Sequence, residues 1–265
     1  MRLQNKIFTM ALCLVLIGCS VKSKKPTFQN ISEDQLYEQG MKEISTQHYK
    51  NAIKTFTRLE EEYPSSKHYA NVLILKAYSL YLENKYTETI LTIDDFIQHF
   101  PVHKDLAYMY YLKAMSNYIQ IMDIGRDQNF AMLAKDGFEM LIQLYPQSKY
   151  AEDAKWKLEY IDNILAGKEM DIGRFYLRTS KHISSINRFK NVIENHQSSI
   201  FTPEALYRLT EVYFVLGIKK EATKYASVLG HNYPKSIWYC KAYDLLVHNG
   251  MKRKKLSLKQ ALQSY

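Results

Sequence analysis

The sequence predicts an all-α protein, a superhelix of about five antiparallel helix pairs. The chain of 265 residues contains only 9 glycines and 6 prolines, too few for a turn-rich β architecture. Hydrophobic residues make up 46% and aromatic residues 13%, which provides a substantial core and excludes a disordered chain. Four of the prolines follow an aromatic residue, at positions 64, 101, 146 and 234. They mark helix ends that recur along the chain, because proline cannot continue a helix.

Two small residues and one large residue precede these prolines at a nearly constant spacing. Counted from Glu33, the offsets 8, 20, 24 and 32 hold Gly40, Ala52, Phe56 and Pro64. This spacing is typical of tetratricopeptide repeats, in which small residues let two helices approach closely and the large residue fills the layer against the next repeat. The equivalent residues in the four later copies are Ala77, Thr89, Ile93 and Pro101; Ala134, Phe138 and Pro146; Gly173, Ser185 and Phe189, with Gln197 in place of proline; and Ala222 and Pro234.

The five copies predict a tetratricopeptide-repeat domain at residues 32–248. In three copies a serine follows the proline two residues later, and this serine is expected to cap the next helix: Ser66, Ser148 and Ser236. A short helix from Ser236 to about His248 is expected to close the stack. The repeats themselves are expected at residues 33–66, 70–103, 107–148, 166–199 and 203–236.

Two departures from the repeat period predict irregular features. The third copy contains about eight extra residues, which fall within residues 121–128 and are expected to form a loop. Residues 149–166 follow a helical pattern between the third and fourth copies and lead toward Gly167. At this glycine the helix either ends or continues into the next one.

The N-terminus has the features of a secreted lipoprotein. Two basic residues precede an apolar run of 12 residues that ends at Gly18. Such a run is too short to span a bilayer, which takes about 20 residues, but it suits a secretory signal peptide. The sequence Leu-Ile-Gly-Cys that ends at Cys19 resembles the bacterial lipobox, in which the cysteine is acylated and the chain is cut just before it. We expect a signal peptide at 1–18, lipid on Cys19 and a tether at 19–31. In lipobox proteins an aspartate directly after the cysteine resembles a signal for retention in the inner membrane, so Ser20 implies export to the outer membrane.

The net charge of +9 belongs to the two ends of the chain. Residues 27–250 carry 26 basic and 27 acidic side chains, a net charge of −1. Nucleic-acid binding requires a basic face on the folded body, so this distribution argues against it. The basic C-terminal tail at 249–265 either lies on anionic lipid headgroups or is a solvated tail.

The first helices of the first three repeats are expected to line a concave groove. Tyrosine offers a large area, few rotatable bonds and one polar tip, and methionine adapts to varied side chains, so their combination suits an extended peptide. The alternative is that many of the 22 tyrosines pack between helices. The candidate groove residues are Tyr37, Met41, Ile44, Tyr78, Tyr81, Tyr108, Tyr111 and Tyr118.

No known catalytic or metal-binding motif occurs in the sequence. The eight histidines never form the His-Glu-x-x-His motif, and His99 and His103 are separated by the helix-breaking Pro101. Phosphate-binding loops and nucleophile elbows are also missing. Once Cys13 leaves with the signal peptide and Cys19 carries lipid, Cys240 has no partner for a disulfide. The sequence therefore predicts a non-enzymatic binding scaffold without a cofactor or metal.

Five segments of the repeat domain carry a resemblance to a known family: YYLKAM at 110–115, RDQ at 126–128, GKEMDIGRFY at 167–176, INRF at 186–189 and VLGHNYP at 228–234. They resemble the BamD family, the lipoprotein subunits of the β-barrel assembly machinery, and the resemblance covers about 28–248. The resemblance implies a periplasmic protein that is tethered to the outer membrane. It also implies binding of the barrel subunit BamA and other Bam lipoproteins, and capture of the C-terminal signal of unfolded outer-membrane proteins.

In this family the client groove lies in the N-terminal repeats and the partner-binding region in the C-terminal ones, here roughly 166–235. The alternative interpretation is another periplasmic tetratricopeptide lipoprotein, for example a scaffold that coordinates cell-wall synthesis with envelope constriction.

Overall fold

The computed structural model describes residues 31–248, and this part of the chain is helical without a strand. The all-α superhelix predicted from the repeats is confirmed. No helix among these residues is both long and apolar enough to cross a bilayer. The helices are α1 (Glu33–Ser45), α2 (Tyr49–Glu62), α3 (Tyr69–Leu82), α4 (Tyr86–His99), α5 (Leu106–Tyr118), α6 (Asn129–Leu144), α7 (Lys149–Arg178), α8 (His182–Asn195), α9 (Thr202–Val215), α10 (Lys219–Asn232) and α11 (Ile237–His248).

Consecutive helices pack as antiparallel hairpins, and α11 closes the stack against α9 and α10. The spacing of small and large residues works sterically as the sequence predicts. A Cβ atom on Gly40 would lie 2.4 Å from Cε1 of Phe56, and one on Gly173 would lie 2.5 Å from Cε1 of Phe189. Both phenylalanine rings are fully buried. The glycines therefore set how closely α1 approaches α2 and α7 approaches α8.

Four of the hairpin turns share one backbone conformation. Their central residues have positive φ: 60° at Gln47, 59° at Asn84, 57° at Ser180 and 75° at Gly217. The third hairpin differs, because residues 119–128 form the predicted loop between α5 and α6. There the Gln128 side chain donates to the backbone carbonyls of residues 123, 124 and 126, at 3.2, 3.2 and 3.1 Å.

The serines of the Tyr-Pro-x-Ser segments do not act uniformly as helix caps. Ser148 and Ser236 directly precede α7 and α11, but the Ser148 side chain makes no capping hydrogen bond and Ser66 lies two residues before the N-cap of α3. The predicted capping role is therefore wrong for Ser66 and Ser148. The Ser66 hydroxyl instead accepts a hydrogen bond at 3.1 Å from the backbone N–H of His68. Ser236 accepts the equivalent bond from the backbone N–H of Trp238 at 3.2 Å, but there the helix begins at the next residue. The buried Ser148 hydroxyl has no hydrogen-bond partner among residues 31–248.

Helix α7 is continuous through Gly167, which answers the question that the sequence left open. Its first half contributes Ala154 and Ile161 to a core shared with α5 and α6, and its second half contributes Ala166 and Met170 to a core shared with α8–α11. The 30-residue helix therefore connects two separate hydrophobic cores. The expected start of the fourth repeat, residue 166, lies inside it.

Candidate peptide-binding groove

The eight predicted groove residues lie on α1, α3 and α5, the first helices of the first three hairpins. Met41 is exposed, and the other seven side chains are half-buried. A half-buried side chain packs against a neighbouring helix and keeps part of its surface free. The tyrosines therefore pack between helices, as the alternative interpretation requires, and still present surface to a ligand.

The central part of this surface is a tyrosine cluster formed by Tyr78 and Tyr81 on α3, Tyr108 and Tyr111 on α5, and Tyr150 on α7. The Tyr150 ring lies 5.6 Å from the Tyr108 ring and stacks on the Tyr111 ring at 5.0 Å. Burial, helped by the neighbouring tyrosines, raises the pKa of Tyr108 far above its usual range. Burial and the carboxylate of Asp153 do the same for the pKa of Tyr111. These two hydroxyls therefore stay protonated and uncharged.

One carboxylate orients the cluster. The Tyr111 hydroxyl donates to Oδ2 of Asp153 at 2.6 Å, and Lys157 Nζ donates to Oδ1 at 2.8 Å. Partial burial disfavours the charged carboxylate, but the hydrogen bonds from Lys157 and Tyr111 outweigh it and lower the pKa of Asp153. A charged acceptor at this position holds the Tyr111 ring in one orientation.

The aromatic surface continues from α5 onto α7. The Tyr118 ring lies 5.9 Å from the Phe138 ring and 5.8 Å from the Tyr160 ring, both edge-on. Lys157 Nζ lies 5.5 Å from the centre of the Tyr118 ring. Tyr160 is half exposed, and Trp156, one helical turn earlier, is 69% exposed. Large exposed aromatic residues are typical of binding surfaces, because they bury much area at a small entropic cost.

The repeat offsets missed the contribution of α7. Its first half lies between the third and fourth sequence copies, so no offset pointed to Tyr150, Asp153, Lys157 or Tyr160. These four residues are spaced by three or four positions and share one helix face. That spacing is the signal that could have found them.

The residues from the first repeat are more isolated. Tyr37 stacks on His68 with ring centres 4.1 Å apart, and His68 Nε2 lies 2.7 Å from Oδ1 of Asp34. Tyr78 meets Tyr49 edge-on at 6.3 Å. The structure therefore ties Tyr37 to the start of α3 and does not join it to the tyrosine cluster.

A second concavity, of about 860 Å³, opens between α6 and α8 above α7. Its charged side chains largely bond within the protein. Lys135 pairs with Glu139 at 3.9 Å, Arg188 pairs with Glu169 at 3.0 Å, and Lys168 Nζ donates to a loop carbonyl at 2.8 Å. The concavity is therefore a polar gap between the two cores.

Two further sequence expectations concern cysteine and metal. Cys19 lies outside the described residues, and Cys240 is an exposed free thiol. Between residues 31 and 248, no group of three His, Cys, Asp or Glu side chains is placed to hold a metal ion.

Comparison with known proteins identifies the family. The family model YfiO, described as an outer membrane lipoprotein, matches residues 29–229. A relative from Rickettsia prowazekii is 43% identical over 234 residues, which cover 88% of this chain and 92% of the relative. It is named outer membrane protein assembly factor BamD. The chain belongs to the BamD family. The matched residues include every helix that contributes to the groove and end before the basic tail.

Other BamD-family members are similar over comparable lengths. The Caulobacter vibrioides protein is 38% identical over 92% of this chain and 82% of its own length. The Xylella fastidiosa (strain Temecula1) protein is 28% identical over 86% and 82%. Among solved structures, a tetratricopeptide protein of Thermus thermophilus aligns with 82% of this chain and all of its own at 15% identity and a TM-score of 0.36. That superposition is loose, and the fold class rests on the helices themselves.

Proposed function

We propose that this BamD-family protein is a non-enzymatic outer membrane protein assembly factor. Its family membership and its relatives' names support the assembly role. In the proposed arrangement, lipid on Cys19 holds the chain on the periplasmic face of the outer membrane. The alternative of a cell-wall scaffold has less support, because these relatives are named as assembly factors.

The proposed client is the extended C-terminal segment of an unfolded outer-membrane protein, and the tyrosine cluster with its α7 extension is its binding surface. The observation that carries this assignment is the aromatic surface that α5 and α7 form together, with Tyr78 and Tyr81 of α3 close enough to Tyr108 to add to the effect of burial on its pKa. The rings across it lie 5.0 to 5.8 Å apart, at Tyr111–Tyr150 and Tyr118–Tyr160. Alternate side chains of an extended strand lie about 7 Å apart on one face, so successive side chains can each meet a different ring.

The proposed partners are a BamA-like barrel protein and further Bam lipoproteins, held by residues of roughly 166–235. The second hydrophobic core gives that region its own rigid support. Client and partner surfaces would thus lie on different halves of the molecule, joined by α7. The protein would hold a client beside the barrel protein without making or breaking bonds.

The client assignment is tested by fluorescence anisotropy with a labelled C-terminal peptide of an outer-membrane protein. The variant Tyr78→Ala/Tyr81→Ala is expected to weaken binding at least about tenfold, as loss of aromatic anchors does. Trp156→Ala is also expected to weaken peptide binding. Because the Trp156 side chain is largely exposed, its removal should not disturb folding. Leu91→Ala, at an exposed residue of α4 outside the groove, is the control. Unchanged affinity in both groove variants would refute the assignment.

The anchor is tested separately by membrane fractionation. Cys19→Ser is expected to remove the protein from the outer-membrane fraction, since a serine in its place cannot take up the lipid that holds the chain on that membrane. Retention of that variant in the outer-membrane fraction through a covalent lipid would contradict the proposed anchor.

A further inference from the structure

We infer that one end of the C-terminal half is a docking surface for an anionic bilayer. This docking goes beyond the proposed function and does not depend on client binding. Five exposed apolar side chains lie at the ends of α7 and α9 and at the starts of α8 and α10. We call them the apolar turn surface: Phe175 (50% exposed), Ile183 (69%), Val215 (61%), Leu216 (37%) and Ile218 (45%).

These side chains lie at one end of the stack. Consecutive helices are antiparallel, so α7, α9 and α11 run in the same direction and end on the same side. The second residue of α11 lies beside the first half of α9, as the Tyr207 and Trp238 rings are 5.4 Å apart. The α7–α8 turn, the α9–α10 turn and the end of α11 therefore face the same way.

The fold itself does not require apolar residues there. The α1–α2 turn reads Thr46-Gln47-His48 and the α3–α4 turn reads Glu83-Asn84-Lys85, with the same positive φ at the central residue. The α9–α10 turn has that geometry but reads Leu-Gly-Ile at 216–218. Residues 215–220 are all exposed, so these apolar side chains contribute little to the core.

The same turns are basic. Arg178, Lys181, Lys219 and Lys220 are exposed, and none of them forms an ion pair within residues 31–248. The one carboxylate in these turns, Glu221, pairs with Lys224 at 3.8 Å. The chain then continues beyond α11 into residues 249–265, which contain five Lys and Arg and no acidic residue.

Exposed apolar side chains that are surrounded by basic side chains without ion pairs suit binding to a lipid surface. The apolar side chains enter the headgroup region, lysine and arginine pair with anionic headgroups, and no complementary shape is needed. Each basic residue near such a surface strengthens binding, so the turns and the tail act together. The proposed barrel partner is also held by residues of roughly 166–235, but a protein seated on these turns would have to supply carboxylates for four lysines and arginines on two separate turns. We therefore favour the bilayer at this end.

Vesicle flotation tests the docking with the mature chain carrying Cys19→Ser, so that acylation cannot hold the protein on lipid. Binding is expected to vesicles of phosphatidylethanolamine and phosphatidylglycerol, to fall with added salt, and to be weak on phosphatidylcholine alone. Val215→Ser/Ile218→Ser should lower the partition coefficient at least about tenfold, since each loses apolar area that would enter the interface. Lys252→Gln/Lys254→Gln should lower it by a similar factor.

The matched control is Ile200→Ser, which removes a 73%-exposed isoleucine in the α8–α9 turn at the opposite end of the same half. This variant should bind vesicles like the parent chain. Circular dichroism melts of all variants check that folding is unchanged. The inference is overturned if the parent chain fails to bind anionic vesicles, or if the turn variant binds as well as the parent. Loss of a co-purifying protein with unchanged vesicle binding would assign the apolar turn surface to a protein partner instead.

Discussion

Gly173→Ala is predicted to destabilise the protein although alanine is the better helix former. The added Cβ would lie 2.5, 2.9 and 3.0 Å from three ring atoms of Phe189, about 1 Å inside ordinary contact. The ring is fully buried and cannot swing into solvent. Overpacking of this kind costs about 1–3 kcal/mol, whereas replacing glycine in a helix interior gains about 1 kcal/mol. With three close contacts the steric cost prevails, and we expect a net loss of about 1–2 kcal/mol.

Thermal and urea unfolding followed by circular dichroism measure this loss. A chain of this size should melt about 2–8 °C lower. Gly125→Ala is the control, because no atom lies within 4 Å of the added Cβ. Phe189→Leu should cost less in the Gly173→Ala background than alone, because the smaller side chain relieves the overlap. A Gly173→Ala protein as stable as the parent, or no coupling in this cycle, would refute the steric reasoning.

Three other contacts lead to further predictions. Gly167→Ala should change the free energy of unfolding by less than about 0.5 kcal/mol, because its closest neighbour is the movable Cδ1 of Ile124 at 2.8 Å and the gain in helix propensity offsets the contact; urea unfolding measures this. Glu204→Ala should cost about 3 kcal/mol in a urea titration, because the largely buried carboxylate pairs with Arg174 at 2.6 Å and its removal leaves that cation without its main partner. Hydrogen bonds lower the pKa of Asp153 in the folded state, so this carboxylate stabilises the protein above the unfolded-state pKa of about 4, and the effect is lost as the pH falls below that value. The difference in melting temperature between the parent and Asp153→Asn should therefore shrink when thermal unfolding is measured at acidic pH.

The repeat architecture could be predicted because hairpin packing is local and steric. Gly40 and Phe56 lie 16 residues apart, and a missing Cβ facing a large ring is visible in the sequence as a spacing. The loop at 121–128 was likewise predicted, as extra length in one period. The capping role of Ser66 was wrong, since whether a hydroxyl bonds the helix or its own turn depends on where the first helical residue falls.

The candidate groove could be predicted only in part. Helical period places Tyr108 and Tyr111 on a common face of α5, but their contacts with Tyr150 cross to another helix about 40 residues later. Which rings meet depends on how α7 lies against α5. Residues 149–165 fell outside the repeat offsets, so Trp156 and Tyr160 had no predicted position in the groove.

The helix pairs, their order and the faces that carry tyrosine could all be read from the amino-acid sequence, because each depends on steric fit or periodicity within one hairpin. The continuity of α7 through Gly167 could not, because it depends on contacts between distant parts of the chain. At that residue the helix continues with Ile124 and Phe201 packed against its bare backbone, and neither neighbour is close in sequence. That continuity lets one helix contribute to two cores, one through its first half and the other through its second.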